Sequence, residues 1–278
     1  MATLIQLLQH VLDGKDPALA PETQRIILKE VLQAYVLDFI YNHPSYRRLN
    51  FYGGTCLHVV YALNRLSEDL DFDNQAGLDL AQLGEDLAKY FLGTYGYGEV
   101  SPKHQQGEGS ILRVTLKFPV LNALGLSPHP SEALHLKVEV SQHQQVAVIQ
   151  HTPILIYGRS LVSVHFSLET MMAGKVLACL ERNFERGRSG AQIKGRDFYD
   201  LLWFMQQRVH PLEEKLLRDG QQRYTVETAM RALQVKVDHI RPRDLAIDLL
   251  PLFESRQFIE AWLEAFHENF ERLVGNYL

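Results

Sequence analysis

The hydrophobic spacing changes near residue 165, and this change constrains the fold most. Before that point, segments with alternating apolar residues predict strands, and these lie between segments with helical spacing. From Ser167 onward, a plausible helix N-cap, the spacing is helical, with helices expected over 168–186, 195–208, 224–236 and 256–274. The pattern predicts an α/β (α+β) core with a mixed sheet over 1–165 and a helical C-terminal domain over 166–278.

Within the first part, the spacing of apolar residues places the individual elements. Helices are expected over 22–42, directly after Gly53–Thr55, and over 78–93. Strands are expected over 49–52, around Leu70–Phe72, over 111–118 and over 134–140, and 146–165 is rich in β-forming residues. The segment 119–131, with its Pro, Gly, Ser and Asn, is expected to be a loop.

Asp69 and Asp71 form the first candidate site. Side chains alternate between the faces of a strand, so both carboxylates are expected on one face, opposite Leu70 and Phe72. Two adjacent carboxylates repel each other unless a cation neutralises them. Oxygen ligands of this kind suit Mg²⁺ or Mn²⁺, which are bound by a few carboxylates together with substrate phosphates.

The turn Gly53–Thr55 complements that pair. Glycines let the backbone approach a ligand closely, and the N-terminus of the following helix offers N–H groups to a phosphate. Either motif alone is as well explained by a surface turn or an acidic strand end. Together, a phosphate-binding turn and a carboxylate pair predict a metal-dependent nucleotide site.

Glu139 is the candidate for a third carboxylate. It shares a strand face with Lys137, opposite Leu136, Val138 and Val140. If its strand pairs beside the aspartate strand, Glu139 completes a site of three carboxylates and could bind metal or act as general base. The alternative is a cross-strand ion pair with Lys117 or Lys137.

The helical half contains a second cluster. Lys175 and Arg182 are seven residues apart and therefore share a helix face, as do Asp197 and Asp200 in the next helix. Lys175 could contact phosphates, and Asp197 could orient Lys175 or Arg182 or act as the base. The alternative is a structural salt bridge between two packed helices.

Tyr52–Thr55 followed by Arg65–Phe72 resembles the AbiEii/AbiGii nucleotidyltransferase toxin family, which includes MenT-like toxins. The family pattern is a Gly-Gly-Thr or Gly-Ser turn, then Arg-x-Ser-x-Asp-Leu-Asp-Phe, and it is complete here. The family then has a strand acid, usually Asp, where this chain has Glu139. The family's helical Lys, Arg and Arg-Asp-x-x-Asp-Leu segment is matched by Lys175, Arg182 and Arg196–Leu201.

The resemblance implies a polymerase-β-like nucleotidyltransferase core with a helical C-terminal domain. It implies Mg²⁺-dependent transfer from an NTP to an acceptor, which in studied relatives can be the 3′ end of tRNA. Such proteins are toxins of type IV toxin–antitoxin systems with roles in abortive phage infection, so a cognate antitoxin is an expected partner. The implied metal ligands are Asp69, Asp71 and Glu139, the further catalytic residues are Lys175 and Asp197, and the nucleotide-binding residues are Gly53, Gly54, Thr55, Arg65, Ser67 and Arg182.

Two other functions fit parts of the pattern. Asp-x-Asp also binds metal in glycosyltransferases that use nucleotide sugars, and a decayed site would leave a non-catalytic nucleotide- or RNA-binding protein. The Gly-Gly-Thr turn argues against the first, and the full residue set argues against the second. Replacing Asp69 or Lys175 with Ala is expected to abolish transfer without disturbing the fold.

Composition limits the partners, the metal sites and the cellular location that the chain can have. The formal net charge is -5, so a nucleic-acid partner must meet a local basic patch, for which Arg182, Arg186, Arg188, Lys194 and Arg196 are candidates. The two cysteines predict neither a disulfide framework nor a zinc site. No apolar run approaches the ~20 residues of a membrane span, and the N-terminus lacks a signal-peptide pattern, so a cytoplasmic protein without a membrane partner is expected.

Overall fold

The computed structural model describes residues 2–106, 111–142, 144–182 and 193–278. The chain divides into two compact units, which are treated separately below. The core unit comprises residues 1–144 and 150–165, and the helical unit comprises residues 145–149 and 166–278. Arg186 and Arg188 of the predicted basic cluster lie outside the described residues, as does the predicted end of the helix over 168–186.

The core unit is built on a mixed sheet of seven strands. The strands are β1 (Asn50–Tyr52), β2 (Asp69–Asp73), β3 (Ser101–Gln106), β4 (Ile111–Phe118), β5 (Leu134–Ser141), β6 (Ile149–Ile156) and β7 (Arg159–Phe166), in the order β3-β4-β5-β2-β1-β7-β6. β2 runs parallel to β5 and antiparallel to β1, whereas β1 runs parallel to β7. The mixed sheet confirms the predicted fold class.

The α-helices of the core unit include α1 (Leu4–Asp13), α2 (Pro21–Asn42), α3 (Gly53–Tyr61) and α4 (Leu83–Tyr95). α2 contacts β5, and α4 contacts β3 and β4. The apolar side chains of β2, Leu70 and Phe72, are fully buried, and Phe72 stacks on Phe51 of β1 at 5.2 Å between ring centroids. Burial of these residues on one face leaves the alternate residues of each strand on the other.

The helical unit contains α5 (Leu168–Glu181), α6 (Gly195–Gln206), α7 (Glu213–Arg218), α8 (Val226–Val237), α9 (Pro242–Leu249), α10 (Arg256–Glu264) and α11 (Phe266–Val274). Ser167 caps α5, as predicted, because its hydroxyl accepts the N–H of Thr170. The single helix expected over 256–274 is instead two helices. The backbone leaves helical geometry at Ala265, and each half buries an apolar face of its own.

Further elements differ from the sequence-based expectation, and α1, α7 and α9 were not predicted. α4 begins at Leu83 rather than at residue 78, and β3 was not predicted at all. None of the helices in the described part of the chain combines the length and the apolar character that a membrane span requires.

Candidate active site

Asp69 and Asp71 lie on one face of β2, as the alternation predicts. Both are half-buried, whereas Leu70 and Phe72 between and beside them are fully buried on the opposite face. Neighbouring β1 and β5 fix the strand on both sides, with Tyr52 opposite Asp71 in β1. The two carboxylates are thus presented side by side from the middle of the sheet, at the face that the core does not bury.

The Gly-Gly turn lies directly against this strand. Gly53 has a φ of +81°, and a Cβ at this position would lie 2.9 Å from Cγ of Asp71. A Cβ on Gly54 would lie 2.6 Å from Nη2 of Arg65 and 2.9 Å from Oγ of Ser67. Only glycine permits this backbone conformation and this close approach. The turn at the N-terminus of α3, one carboxylate of the pair, Arg65 and Ser67 therefore form one local assembly.

The third residue of the turn contributes differently from the other two. Thr55 is fully buried, and its hydroxyl donates to the backbone carbonyl of Asp69 at 2.5 Å. This bond fixes the start of α3 to the start of β2. Thr55 was predicted to bind nucleotide, and the structure gives its side chain a contact that positions Asp69.

Arg65 and Ser67 are both almost fully buried beside the turn. Arg65 Nη1 donates to the carbonyl of Leu66 at 2.9 Å, and the carbonyl of Ser67 accepts from Gln33 of α2 at 3.0 Å. The loop between α3 and β2 is therefore held in a defined conformation. That conformation places the predicted nucleotide-binding side chains next to Gly54.

Glu139 lies next to Asp71. β5 pairs in parallel with β2 so that Glu139 is opposite Asp71 and Lys137 is opposite Asp69. The predicted pairing of the two acidic strands is thus present. The carboxylate of Glu139 accepts from Nε of Arg113 on β4 at 2.6 Å, so the cross-strand ion pair forms with an arginine and not with Lys117 or Lys137.

The positions of Asp69, Asp71 and Glu139 can be compared with the coordination that a divalent cation requires. The three carboxylates lie on adjacent positions of two paired strands, which is the oxygen-rich donor set that Mg²⁺ prefers. Across the described residues, however, no three His, Cys, Asp or Glu side chains converge closely enough to hold a metal ion. The residues fit a metal bound by Asp69 and Asp71, with Glu139 joining them only after leaving Arg113.

Two cations beside these carboxylates were not predicted to belong to the site. Nζ of Lys137 lies 3.8 Å from Oδ1 of Asp69, and Arg113 pairs with Glu139. The alternation of β4, with Val114 and Leu116 buried, already places Arg113 on the open face. Its partner could not be read from the sequence because the register between β4 and β5 is set by the folded sheet.

A half-buried ion pair holds α3 against α2. Nε2 of His58 lies 3.0 Å from Glu30, and its Nδ1 bonds to the carbonyl of Leu63. Burial would lower the pKa of His58, but its contacts with Glu30 outweigh burial and raise it. Burial would raise the pKa of Glu30, and His58 outweighs that effect and lowers it. His58, expected as a packing or surface residue, therefore helps to place the helix whose N-terminus forms the site.

Lys175, Arg182 and Asp197 are brought together within the helical unit. Nζ of Lys175 lies 2.8 Å from Asp197 and 2.9 Å from Asp200, and Arg182 contacts Asp197 at 3.1 Å. Burial would raise the pKa of Asp197, but Lys175 and then Arg182 hold it well below its usual range. These contacts join α5 to α6. The salt bridge considered from the sequence is present, and a role in phosphate binding stays a prediction.

The described members of the predicted basic cluster have local partners. Arg196 lies 3.9 Å from Asp248 on α9, and its backbone N–H donates to the same carboxylate at 3.3 Å. Burial, followed by the charges of Arg196 and Arg182, lowers the pKa of Lys194. Like charges therefore crowd this segment of the helical unit.

Comparison with known proteins identifies the family. The family model for the nucleotidyl transferase AbiEii toxin of type IV toxin–antitoxin systems matches residues 38–277. This chain belongs to that family. The match confirms the resemblance inferred from the Gly-Gly-Thr turn and Asp69–Phe72, and it confirms that the chain is a nucleotidyltransferase, not a glycosyltransferase. Membership also implies a toxin that has an antitoxin partner.

Solved structures show the same fold at low sequence identity. Protein JHP933 from Helicobacter pylori is 17% identical, with a TM-score of 0.53 over 94% of this chain and 95% of that one. A candidate nucleotidyltransferase from H. pylori is also 17% identical, with a TM-score of 0.53 over 90% of this chain and 94% of its own. No curated protein matches the chain.

Proposed function

We propose that this AbiEii-family chain transfers a nucleotidyl group from an NTP to the 3′ end of an RNA, with tRNA as the first candidate, in a reaction that requires Mg²⁺ or Mn²⁺. The observation that supports this best is the approach of Gly53 and Gly54 to Asp71, Arg65 and Ser67. A phosphate-binding turn and a metal-binding carboxylate in one local assembly fit an enzyme that acts on nucleoside triphosphates.

The triphosphate is the natural ligand of the turn. The N-terminus of α3 presents backbone N–H groups and the positive end of the helix dipole to an anion. Ser67 and Arg65 lie beside Gly54 and supply a hydroxyl and a guanidinium, which suit phosphate oxygens. In this proposal these groups hold the β- and γ-phosphates and offset the charge that develops on the leaving pyrophosphate.

Asp69 and Asp71 would hold the metal, with Glu139 as a further ligand or as the base. A bound Mg²⁺ would supply neutralisation of phosphate charge at the reacting phosphorus. The RNA 3′-hydroxyl oxygen forms a bond to the α-phosphorus, the bond from the α-phosphorus to the bridging oxygen breaks, pyrophosphate leaves, and the hydroxyl proton passes to a carboxylate of the chain. Glu139 adjoins Asp71 in the sheet, which supports its assignment as that carboxylate.

Asp197 is better suited to holding cations than to accepting a proton. Its two oxygens accept from Lys175 and Arg182, and its pKa is held well below the usual range. A carboxylate stabilised in its charged form is a weak base. We therefore assign phosphate binding to Lys175 and Arg182, and the orientation of both to Asp197.

Transfer of labelled nucleotide tests the proposal directly. The protein is incubated with each α-labelled NTP, with Mg²⁺ or EDTA, and with total RNA, purified tRNA or protein as acceptor. We expect Mg²⁺-dependent label on RNA and none on RNA whose 3′ diol has been destroyed by periodate. Label on protein instead of RNA would overturn the acceptor assignment.

Asp69→Asn is the matched variant, because it removes the charge and keeps the shape. Losing a metal ligand forfeits several kcal/mol of transition-state stabilisation, so we expect transfer to fall by at least about a hundredfold. Asp13→Asn on α1, where the exposed carboxylate accepts from the side chain of Gln9, should transfer at the wild-type rate. A folded Asp69→Asn protein with wild-type activity would refute the assignment.

The toxin role has a separate readout. Expression of the wild-type chain should arrest growth, and expression of the Asp69→Asn variant at the same level should not. Growth arrest by both proteins would show that toxicity does not depend on nucleotidyl transfer.

A further inference from the structure

The sheet face that presents the candidate carboxylates of β2 and β5 extends over two more strands, β4 and β3. The register places Asp71, Glu139, Arg113 and Gln105 in one row across β2, β5, β4 and β3. The second row contains Asp69, Lys137, Thr115 and Lys103, and the third contains His135, Lys117 and Ser101. Residues paired across strands share a face. The carboxylates therefore lie at one end of a continuous surface.

Cations dominate this surface away from the carboxylates. We call Lys103, Lys117, Lys137, His135 and Arg113 the basic face. The acids in its three rows are the three candidate site carboxylates themselves. Lys103 and Lys117 make no ion pair with any carboxylate in the described part of the chain, although Lys137 and Arg113 each do.

The charges of the basic face act on one another. Burial lowers the pKa of His135, and the charges of Lys117, Lys29 and Lys137 lower it further. Beside His135 of the third row lies a cleft of about 520 Å³, and its lining contains both cations and acids. Arg25 pairs with Glu132 at 2.8 Å, and Lys29 pairs with Glu68 at 2.9 Å. A volume in this range accommodates a small-molecule-sized group such as one nucleotide. The cleft thus adjoins the basic face at His135, while the concentration of cations lies on the sheet rows themselves.

We propose that the basic face binds the sugar–phosphate backbone of the RNA acceptor, upstream of the 3′ end that reaches Asp69 and Asp71. The proposal rests on the proposed function, because it assumes that the acceptor is RNA. It assigns Lys103 and Lys117 to phosphate contacts and places no base-specific contact on this surface.

Dimensions and charge support a phosphate backbone as the occupant. Adjacent strands lie about 4.8 Å apart, so Lys103 is about 14 Å from Asp69 across three strand spacings. Lys117 is offset from that row by two residues, or about 7 Å along the strand. An extended polyanion that ends at the carboxylates can contact both lysines. A chain with a net charge of -5 attracts such a polyanion only where cations are concentrated.

The test measures RNA binding apart from catalysis. The variants are Lys103→Gln, Lys117→Gln and the double variant, and the matched control is Lys89→Gln on α4, whose side chain is 73% exposed. The probe is a labelled RNA ending in a 3′-deoxynucleotide, which cannot accept a nucleotidyl group. Dissociation constants are measured from low to moderate salt for each protein, together with NTP binding.

We expect the double variant to bind this RNA about tenfold more weakly at moderate salt. The slope of log affinity against log salt should fall by about 1.4, since each lost phosphate contact on a single strand contributes about 0.7. NTP binding should be unchanged. With a reactive RNA, KM for RNA should rise while kcat stays constant. Lys89→Gln should match the wild type in every measurement.

The outcomes separate this proposal from the proposed function. Wild-type transfer to RNA with an unchanged salt slope in the double variant would overturn the basic face and leave the proposed function standing. Absence of transfer to any RNA by the wild type would refute the proposed function, and the binding slopes would still decide whether the basic face contacts RNA. If the double variant loses binding to poly-glutamate but binds RNA like the wild type, the surface would be assigned to an acidic protein. That result would overturn the proposal.

Discussion

Replacing Lys175 with Ala should destabilise the helical unit as well as affect transfer. The side chain of Lys175 is 15% exposed and lies between Asp197 and Asp200, whose side chains are 5% and 0% exposed. Within the described residues, the ion pair of Arg182 is with Asp197, and the Arg182 side chain is 55% exposed. Removing Lys175 therefore leaves Asp200 as a buried carboxylate that has lost this cation and leaves Asp197 with a solvent-screened partner.

The magnitude follows from the cost of a broken buried pair. Removing one partner from such a pair destabilises a protein by about 3–5 kcal/mol, a large fraction of a typical total stability of about 5–15 kcal/mol. With a urea slope of about 2 kcal/mol per M, the midpoint should fall by about 1.5–2.5 M. The sequence alone suggested that this substitution would leave the fold intact, and the contacts of Lys175 change that expectation.

Tryptophan fluorescence follows this transition selectively. The two tryptophans of the chain, Trp203 and Trp262, both lie in the helical unit. Adding Asp197→Asn and Asp200→Asn to the Lys175→Ala variant should restore much of the lost stability, because no buried charge is then left without its cation. Arg218→Ala, which removes an exposed pair with Glu214, should leave the midpoint at the wild-type value.

The pH dependence of the stability should reverse in the Lys175→Ala variant. The lowered pKa of Asp197 gives the wild type a stabilisation that is fully present above the unfolded pKa, near 3.8, and lost as pH falls through the folded pKa. In Lys175→Ala, burial favours the protonated form, so stability should rise as pH falls from 7 towards 5. A midpoint within about 0.3 M of wild type at pH 7, with no such rise, would refute the reasoning.

Two further substitutions test the parts that position the site. Gly54→Ala adds a methyl group against Arg65, so it should lower transfer at least about tenfold and should not give the helix stabilisation of about 1 kcal/mol that an unhindered Gly→Ala substitution gives. The control is Gly93→Ala in α4, where a Cβ meets open space, and this variant should be more stable and fully active. Equal behaviour of the two variants would contradict the close approach of Gly54 to Arg65. His58→Gln should weaken the protection of α3 amides in hydrogen exchange, and most strongly at pH values between the folded pKa values of Glu30 and His58. The raised pKa of His58 gives a stabilisation that is present below its unfolded pKa, near 6.5, and lost as pH rises through the folded pKa. The lowered pKa of Glu30 means that the stabilisation is also lost at acid pH, as Glu30 becomes protonated. A His58→Gln effect that does not vary with pH would count against the ion pair.

The sequence predicted the elements that its apolar pattern defines. β4 and β5 alternate, and the structure has them over Ile111–Phe118 and Leu134–Ser141. β3 was not predicted because Ser101–Gln106 has no alternating apolar side chains, and the segment becomes a strand through backbone pairing with β4. α1 was also not predicted, although the sequence contains a helix-start signal, the capping box of Thr3 and Gln6.

The common face of Asp69 and Asp71 was predicted from the sequence, and the cations beside them were not. The spacing of Asp69 and Asp71 fixes their common face, because it depends on one strand only. Arg113 could not be assigned to Glu139 in this way, since the pair joins two strands through a register that forms only in the folded sheet. Local periodicity therefore yields the carboxylates, while the cations that balance them depend on tertiary structure.

This balance affects how a metal would enter the site. Lys137 lies beside Asp69 and Arg113 binds Glu139, so cations already accompany these carboxylates. Such cations reduce the repulsion between the neighbouring carboxylates. Under the proposed function, the same cations would compete with a free divalent ion, which would have to displace them. An ion that arrived with its triphosphate would bring anionic oxygens for both the metal and the released cations, so we expect this site to bind metal and NTP jointly rather than the metal alone.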